Sequence, residues 1–268
     1  MIVRSFREHN LRQALSSTAI ATDSVVMVHS SLIALGRMKG VAIDALPERL
    51  FAVLRDELGR DATIVVPTFN FDFCRGMEFN RQHTPSHNMG VFSEYVRRRP
   101  EARRSPHPMQ SIAAVGPLAR DLCDRDTPGA FDPSGGFDAL IEYDAHLLML
   151  GCGIDAVSLV HWAEQKVGVP YRYWKEFTAP YRDGRWSGRR TYRMYARDLE
   201  LDPTVRLDKI GHILHRRSEL RRLRLGAGAL ESCPVRHFVS TAVQLLQKDP
   251  NALVRPSSPP TGSPYVSA

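Results

Sequence analysis

The stretch "AHLLMLGCGIDAVSLVHWAEQKVG", Ala145 to Gly168, decides how this chain folds. It opens on an apolar run of strand length, too short for a buried helix. Two glycines, Gly151 and Gly153, break the run. Asp155 then stands where it caps a helix starting near Ala156. A buried strand that empties through a glycine loop into a helix is the unit from which α/β domains are built.

The same alternation recurs outward from this stretch. "VVMVH" (Val25 to His29) and "ATIVVP" (Ala62 to Pro67) read as buried β-branched strands. Between them, "VAIDALPERLFAVLRDELG" repeats Leu46, Leu50, Val53 and Leu54 near period 3.6, with Pro47 in the first turn and Gly59 at the end. "VFSEYVRRRP" reads as a short helix stopped by Pro100, "SIAAVG" as a strand, and "PLARDLC" and "FDALIEY" as short helices. The polar segment from Asn70 to Asn88 reads as a long loop, and loops of that length are usually functional or disordered. After Val169 the pattern turns aromatic and alternating, with Asp183-Gly184 between two runs, which signals a hairpin. Helices return over Leu207 to Leu223 and Val235 to Gln247. The reading is one domain over residues 1–254 with a mixed sheet, followed by a disordered Pro/Ser-rich tail over 255–268.

Composition narrows the class. The chain has 268 residues, 43% of them hydrophobic and 24% charged, which suits a globular protein with a sizeable core. No apolar run reaches the length of a membrane helix, and "MIVRSFREHNLRQAL" has no signal-peptide core. Cys74, Cys123, Cys152 and Cys233 form no CxxC pair and fit a reducing compartment. The protein is therefore read as cytoplasmic. The net charge of +7 comes largely from late arginines, as in "RRTYRMYAR". These runs lack the aromatic interleaving and the motifs of nucleic-acid binders, so they are read as a solvated basic face and no nucleic-acid partner is expected.

Several constellations could carry chemistry. There is no GxxxxGK[ST] and no GxGxxG after an early strand. "VHSSL" leaves a strand with two hydroxyls and free N–H groups, which suits either a phosphate or a helix cap by Ser30 or Ser31. "RRSPHPMQS" holds Arg104, Ser105 and Ser111 in a loop pinned by two prolines. His161 and Glu164 are three apart and share a helix face. That spacing fits a base with an orienting carboxylate, and equally a surface pair. Cys152 between glycines is a minor candidate acyl carrier. His161 and Glu164 lack the second histidine of HExxH, and Pro85 interrupts His83 and His87, so no metal is assigned.

Taken in order, "VHSSLIALG", "ATIVVPTFN", "TPSHNMGVFSEYVRRRPEARRSPHPMQSIAAVG" and "LLMLGCGIDAVSLVHWAE" resemble the aminoglycoside 3-N-acetyltransferase family. "LDKIGHILHRRSELRRLRLGAGAL" matches more weakly. The family is distinct in fold from the GNAT acetyltransferases. "RLGAGAL" also fails the GNAT glycine pattern, because Leu223 stands three residues before Gly226 where Arg or Gln is needed.

The resemblance implies a three-layer α/β/α fold around a mixed sheet, with the aromatic-rich hairpin added. It implies acetyl coenzyme A as donor, a small-molecule primary amine as acceptor, direct transfer, and antibiotic resistance as one biological role. It assigns His161 as the base and Glu164 as its partner; beside that assignment, Asp155 is expected to orient the ammonium or the histidine. His29, Ser30, Ser31, Leu32, Arg104, Ser105 and Ser111 become the coenzyme site. Ser158 stands where the family has threonine. Backbone N–H groups at the helix start are expected to hold the oxyanion. A homodimer is admitted. Polycationic antibiotics favour acidic clefts, and this chain is basic, so a nucleotide-linked anionic amine is the alternative acceptor. A catalytically degenerate, anion- or nucleic-acid-binding scaffold is the alternative of another class.

Overall fold

The computed structural model describes residues 5–201 and 204–255. Seven strands form the main sheet, in the spatial order β12 (Arg221–Leu225), β13 (Gly228–Pro234), β8 (His146–Leu150), β2 (Val25–Ser30), β4 (Thr63–Pro67), β7 (Ile112–Val115) and β6 (Arg103–Arg104). The central β8, β2 and β4 run parallel, and the strands on both flanks are antiparallel. Two short pairs lie beside it: β1 (Ser5–Phe6) with β3 (Arg37–Met38), and β11 (Thr204–Val205) with β14 (Val254–Arg255).

Alternation along β2 shows why helices cover both faces. Val26 and Val28 join one apolar cluster, and Val25 and Met27 join the other. A strand buried on both faces needs apolar residues at every position, as "VVMVH" and "HLLML" provide. The first cluster packs α1 (Glu8–Ser16), α2 (Leu32–Leu35), α3 (Leu46–Leu58) and α4 (Gly90–Arg97). The second packs α5 (Ala119–Cys123), α6 (Gly136–Glu142), α7 (Val160–Val167), α8 (Asp208–Arg216) and α9 (Val235–Lys248).

Connectivity makes the crevice. The chain leaves β2 toward α2 and α3 on one face, whereas it leaves the adjacent parallel β8 toward α7 on the other. Diverging connections from neighbouring parallel strands open a gap at their carboxyl ends, which is where open α/β sheets bind ligands.

The aromatic segment forms a twelve-residue-per-strand hairpin, β9 (Arg172–Asp183) with β10 (Trp186–Arg197). It turns at Gly184-Arg185, one residue beyond the expected Asp183-Gly184, because Asp183 still pairs with Trp186, and it pairs with β5 (Phe79–Asn80). The segment from Asn70 to Asn88 is therefore not structureless. It holds a 3-10 turn over Asp72–Arg75 and β5, and it buries Phe73 and Phe79 against Tyr181 and Tyr192.

Two expected elements differ. The helix expected over Leu207 to Leu223 ends at Arg216, and residues 221–225 become β12, zipped to β13. Their alternating Arg/Leu pattern suits an edge strand, and "GAG" supplies its turn. The helix expected from Ala156 starts at Val160, after a 3-10 turn over Ile154–Ala156. Asp155 does not cap it, because its Oδ1 accepts the Leu207 N–H at 2.7 Å. The expected tail lies outside the described residues from 256 onward. Among the described residues no helix is long and apolar enough to cross a membrane.

Candidate active site

The glycine loop after β8 is seated on the turn after β2. His29 and Ser30 stand opposite Met149 and Leu150 in the parallel register, and the Ser31 N–H donates to Leu150 O at 2.8 Å. Gly151 has φ +80°, and a Cβ there would lie 2.6 Å from Ser31 O. Glycine is required at that contact on both counts. The fold thus brings "VHSSL" and "GCGID" together at the crevice.

A cavity of about 580 Å³ opens there. His29, Ser30, Asp155, Ser158 and His161 line it, with Phe69, Phe71, Asn88, Met89 and Gln110 on the facing wall. Arg172, Met194 and Arg197 enter from the hairpin, and Thr204, Val205 and Leu207 close the rim. Ser31 and Leu32 do not line it, and the Leu32 side chain belongs to the core.

His161 sits in the first turn of α7, with its side chain 29% exposed. Its Nδ1 lies 2.7 Å from Glu164 Oε2, and Glu164 is fully buried. The Tyr171 hydroxyl donates to Glu164 Oε1 at 3.0 Å. Arg172 Nε is 2.8 Å from the same Oε2, although its N–H is not aligned as a hydrogen bond, so that contact acts through charge. Burial alone would raise the Glu164 carboxyl. The His161 hydrogen bond, the Arg172 charge and the Tyr171 bond together hold it below the usual range.

Nδ1 also lies 3.1 Å from Arg172 Nη2, so a carboxylate and a guanidinium compete for one ring atom. We assign the proton to Nδ1, because the carboxylate contact is shorter and charge-assisted. That tautomer leaves Nε2 with a lone pair, the form a base needs.

His29 is fully buried, and burial pushes its pKa down to about 4, so the ring is neutral. Its Nε2 faces the Ser158 hydroxyl at 2.9 Å and the Ser158 N–H at 3.2 Å, and its Nδ1 has no partner among the described residues. The histidine of "VHSSL" therefore anchors the start of α7.

The "RRSPHPMQS" loop behaves differently. Arg104 donates to Ser111 Oγ at 3.0 Å, to Thr68 O at 2.7 Å and to Thr84 O, and lies over the Phe79 ring. Ser105 Oγ accepts the Ile112 N–H, and Ser111 Oγ donates to Thr68 O. These three side chains are spent on holding the loop. Arg104 borders a separate, larger hollow of about 930 Å³ that His161 does not line. From this loop, the buried Gln110 reaches the cavity.

Asp155 makes no described bond to His161. Its second oxygen lies 3.5 Å from Arg206 Nη2. Most amides at this helix start are occupied: Ala156, Val157, Val160 and His161 N–H groups bond within the loop, and Ser158 N–H bonds to His29. Cys152 is mostly buried, and burial pushes its thiol up to about 12, so it is no thiolate at neutral pH.

Sequence reasoning missed Tyr171 and Arg172. A usable signal was present: Gly168, with φ +75°, and Pro170 reverse the chain directly after α7. The next residues must fold back along that helix.

The comparisons agree with this architecture. The family model described as aminoglycoside 3-N-acetyltransferase matches residues 27–247. The chain belongs to that family. It is 26% identical over 190 residues to aminoglycoside N(3)-acetyltransferase III of Salmonella sp., covering 63% of this chain and 64% of the relative. The crystal structure of aminoglycoside acetyltransferase AAC(3)-IVa, apoenzyme, is similar with a TM-score of 0.77 at 25% identity, covering 96% of this chain and 94% of that one. The structure of AAC-IIIb as a binary complex with CoASH has a TM-score of 0.76 at 19% identity, covering 91% and 97%. The second of these structures shows shared fold alone.

Proposed function

We propose that this chain transfers an acetyl group from acetyl coenzyme A to a primary amine of an aminoglycoside or amino sugar. The observation that carries this reading is the 2.7 Å contact between His161 and a fully buried Glu164 at the mouth of a cavity beside β2 and β8. The family's relatives are named for aminoglycoside N(3)-acetylation, and one protein of the same fold was solved with CoASH.

An alkyl amine is largely protonated at neutral pH and attacks only as the free base, so the ammonium first loses one proton to solvent. His161 Nε2 takes a proton from the amine as its nitrogen bonds to the thioester carbonyl carbon. The tetrahedral adduct then collapses, the C–S bond breaks, and the imidazolium proton goes to the departing thiolate. Glu164 stabilises the imidazolium between these steps. The transfer is direct, which matches a Cys152 thiol that stays protonated.

The thioester arm of the coenzyme enters beside His29 and Ser30, with Ser31 and Leu32 shaping the turn behind it. Arg104, Ser105 and Ser111 act on the coenzyme through the loop they hold, which presents Gln110. Asp155, which lines the cavity, receives an ammonium group of the acceptor in this reading.

A second acceptor class has its own support. The chain is basic, with a net charge of +7, which suits an amine bearing an anionic group better than a polycation. Thiol release from acetyl coenzyme A separates these readings. A polycationic aminoglycoside, a nucleotide-linked amino sugar and a simple alkyl amine are supplied in turn. Release with the first supports the family's acceptor, and release with the second alone supports the anionic one. Release with none contradicts the acetyltransferase reading.

A further inference from the structure

We propose that Arg172 is a positioning residue for the His161 base: its guanidinium shares the Glu164 carboxylate and lies against the imidazole Nδ1, so that removing its charge strengthens the ring's hold on an added proton. This rests on the acetyl-transfer reading above.

A buried carboxylate 2.7 Å from an imidazole is a hazard as well as an aid. A carboxylate beside an imidazole favours the imidazolium form in general, and an imidazolium is no base. Arg172 meets both members at once. Nε lies 2.8 Å from the carboxylate oxygen that faces His161, and Nη2 lies 3.1 Å from Nδ1 itself. A guanidinium stays charged at every working pH. It therefore offsets part of the Glu164 charge, and it repels a positive charge on the ring directly.

Arg172 is also held so that it cannot swing away. Its side chain is 9% exposed, and Nη1 donates to Tyr195 O at 3.2 Å across the hairpin. An arginine serving only to neutralise Glu164 would need no approach to Nδ1.

The other charged and titratable groups facing His161 are few. Asp155 comes from the loop before α7, Arg197 from β10 and His29 from β2. His29 stays neutral through burial, and Tyr171 meets His161 only through Glu164. Phe131 presents an uncharged ring edge at 5.8 Å. Arg172 is thus the cation in bonding distance of both partners.

The test compares the parent with Arg172→Gln and Arg172→Lys across the pH range. Loss of the cation strengthens the hold on the added proton, so the acidic limb of kcat/KM in the Gln variant moves up by about one pH unit. Below that limb the rate falls about tenfold, and KM for the coenzyme stays near the parent's. The Lys variant keeps the charge and holds the limb near the parent's position. The imidazole resonance of His161, assigned by its loss in His161→Ala, titrates at correspondingly higher pH in the Gln variant. A Gln variant with an unmoved limb and resonance, or a Lys variant that moves as far as Gln, overturns the proposal. The resonance reads the coupling without turnover. A parent that acetylates no amine therefore contradicts the acetyl-transfer reading, and the coupling is still decided by the resonance.

Discussion

At the residue scale, Glu164 stays ionised at zero exposure because every direction it faces supplies a donor or a positive charge: His161, Tyr171 and Arg172. Glu164→Gln removes the charge and leaves Arg172 buried without its counter-ion. Breaking a buried pair from one side costs about 3 kcal/mol, so urea denaturation should show a midpoint clearly below the parent's. Cys152→Ala, in contrast, should leave acetyl transfer unchanged in a thiol-release assay, since the thiol is held protonated. A large loss there would revive a covalent route. The His161 and Glu164 pair was legible from spacing, because i,i+3 positions on a helix meet whatever surrounds them. Arg172 was not legible, because its contact depends on where the hairpin returns, and pairwise spacing carries no such information.

At the element scale, the glycine loop and the turn after β2 form one unit. Gly151→Ala forces a side chain into positive φ and against Ser31 O. The expected loss is about 2 kcal/mol in thermal or urea unfolding, with a larger fall in activity than Cys152→Ala. Tyr181→Phe tests the hairpin in the same way. Its hydroxyl donates to Pro106 O at 2.8 Å in a buried site, so the variant leaves that carbonyl unpaired and costs about 1 to 2 kcal/mol. The strands were readable because both-face burial writes itself as continuous apolar runs. The start of α7 was misread because Asp155 has the residue type of a cap, while its partner, the Leu207 N–H, lies 52 positions away. The edge strand β12 was misread as helix for a related reason. "RRLRL" has few apolar residues, and its strand state comes from pairing with β13.

At the scale of the whole molecule, the sheet fixes where chemistry can happen. The parallel β8 and β2 send their helices to opposite faces, and the crevice between them gathers loops that are 120 residues apart in sequence. Holding that arrangement together leaves neutral histidines inside. Burial pushes both His29 and His107 down to about 4, below the value near 6.5 that an unfolded histidine has. Between those values the unfolded chain binds protons that the folded chain refuses. Their contribution is therefore complete above about pH 6.5 and is lost as pH falls toward 4, at ~1.4 kcal/mol per pH unit for each histidine. Thermal midpoints measured from pH 7 to pH 4 should fall along that window, and a flat profile would contradict the neutral assignment. The sequence pattern announced the alternating layers, but it could not show that the "RRSPHPMQS" side chains lock their own loop, since nothing local marks Thr68 and Thr84 as their acceptors.

The central claim is that His161 is the base at this switch point. Thiol release from acetyl coenzyme A with a saturating primary amine, compared between the parent and His161→Ala, tests it most directly. Loss of a general base lowers turnover by about 10² to 10⁴-fold, while coenzyme binding by the folded variant persists. Turnover of His161→Ala close to the parent's would contradict it.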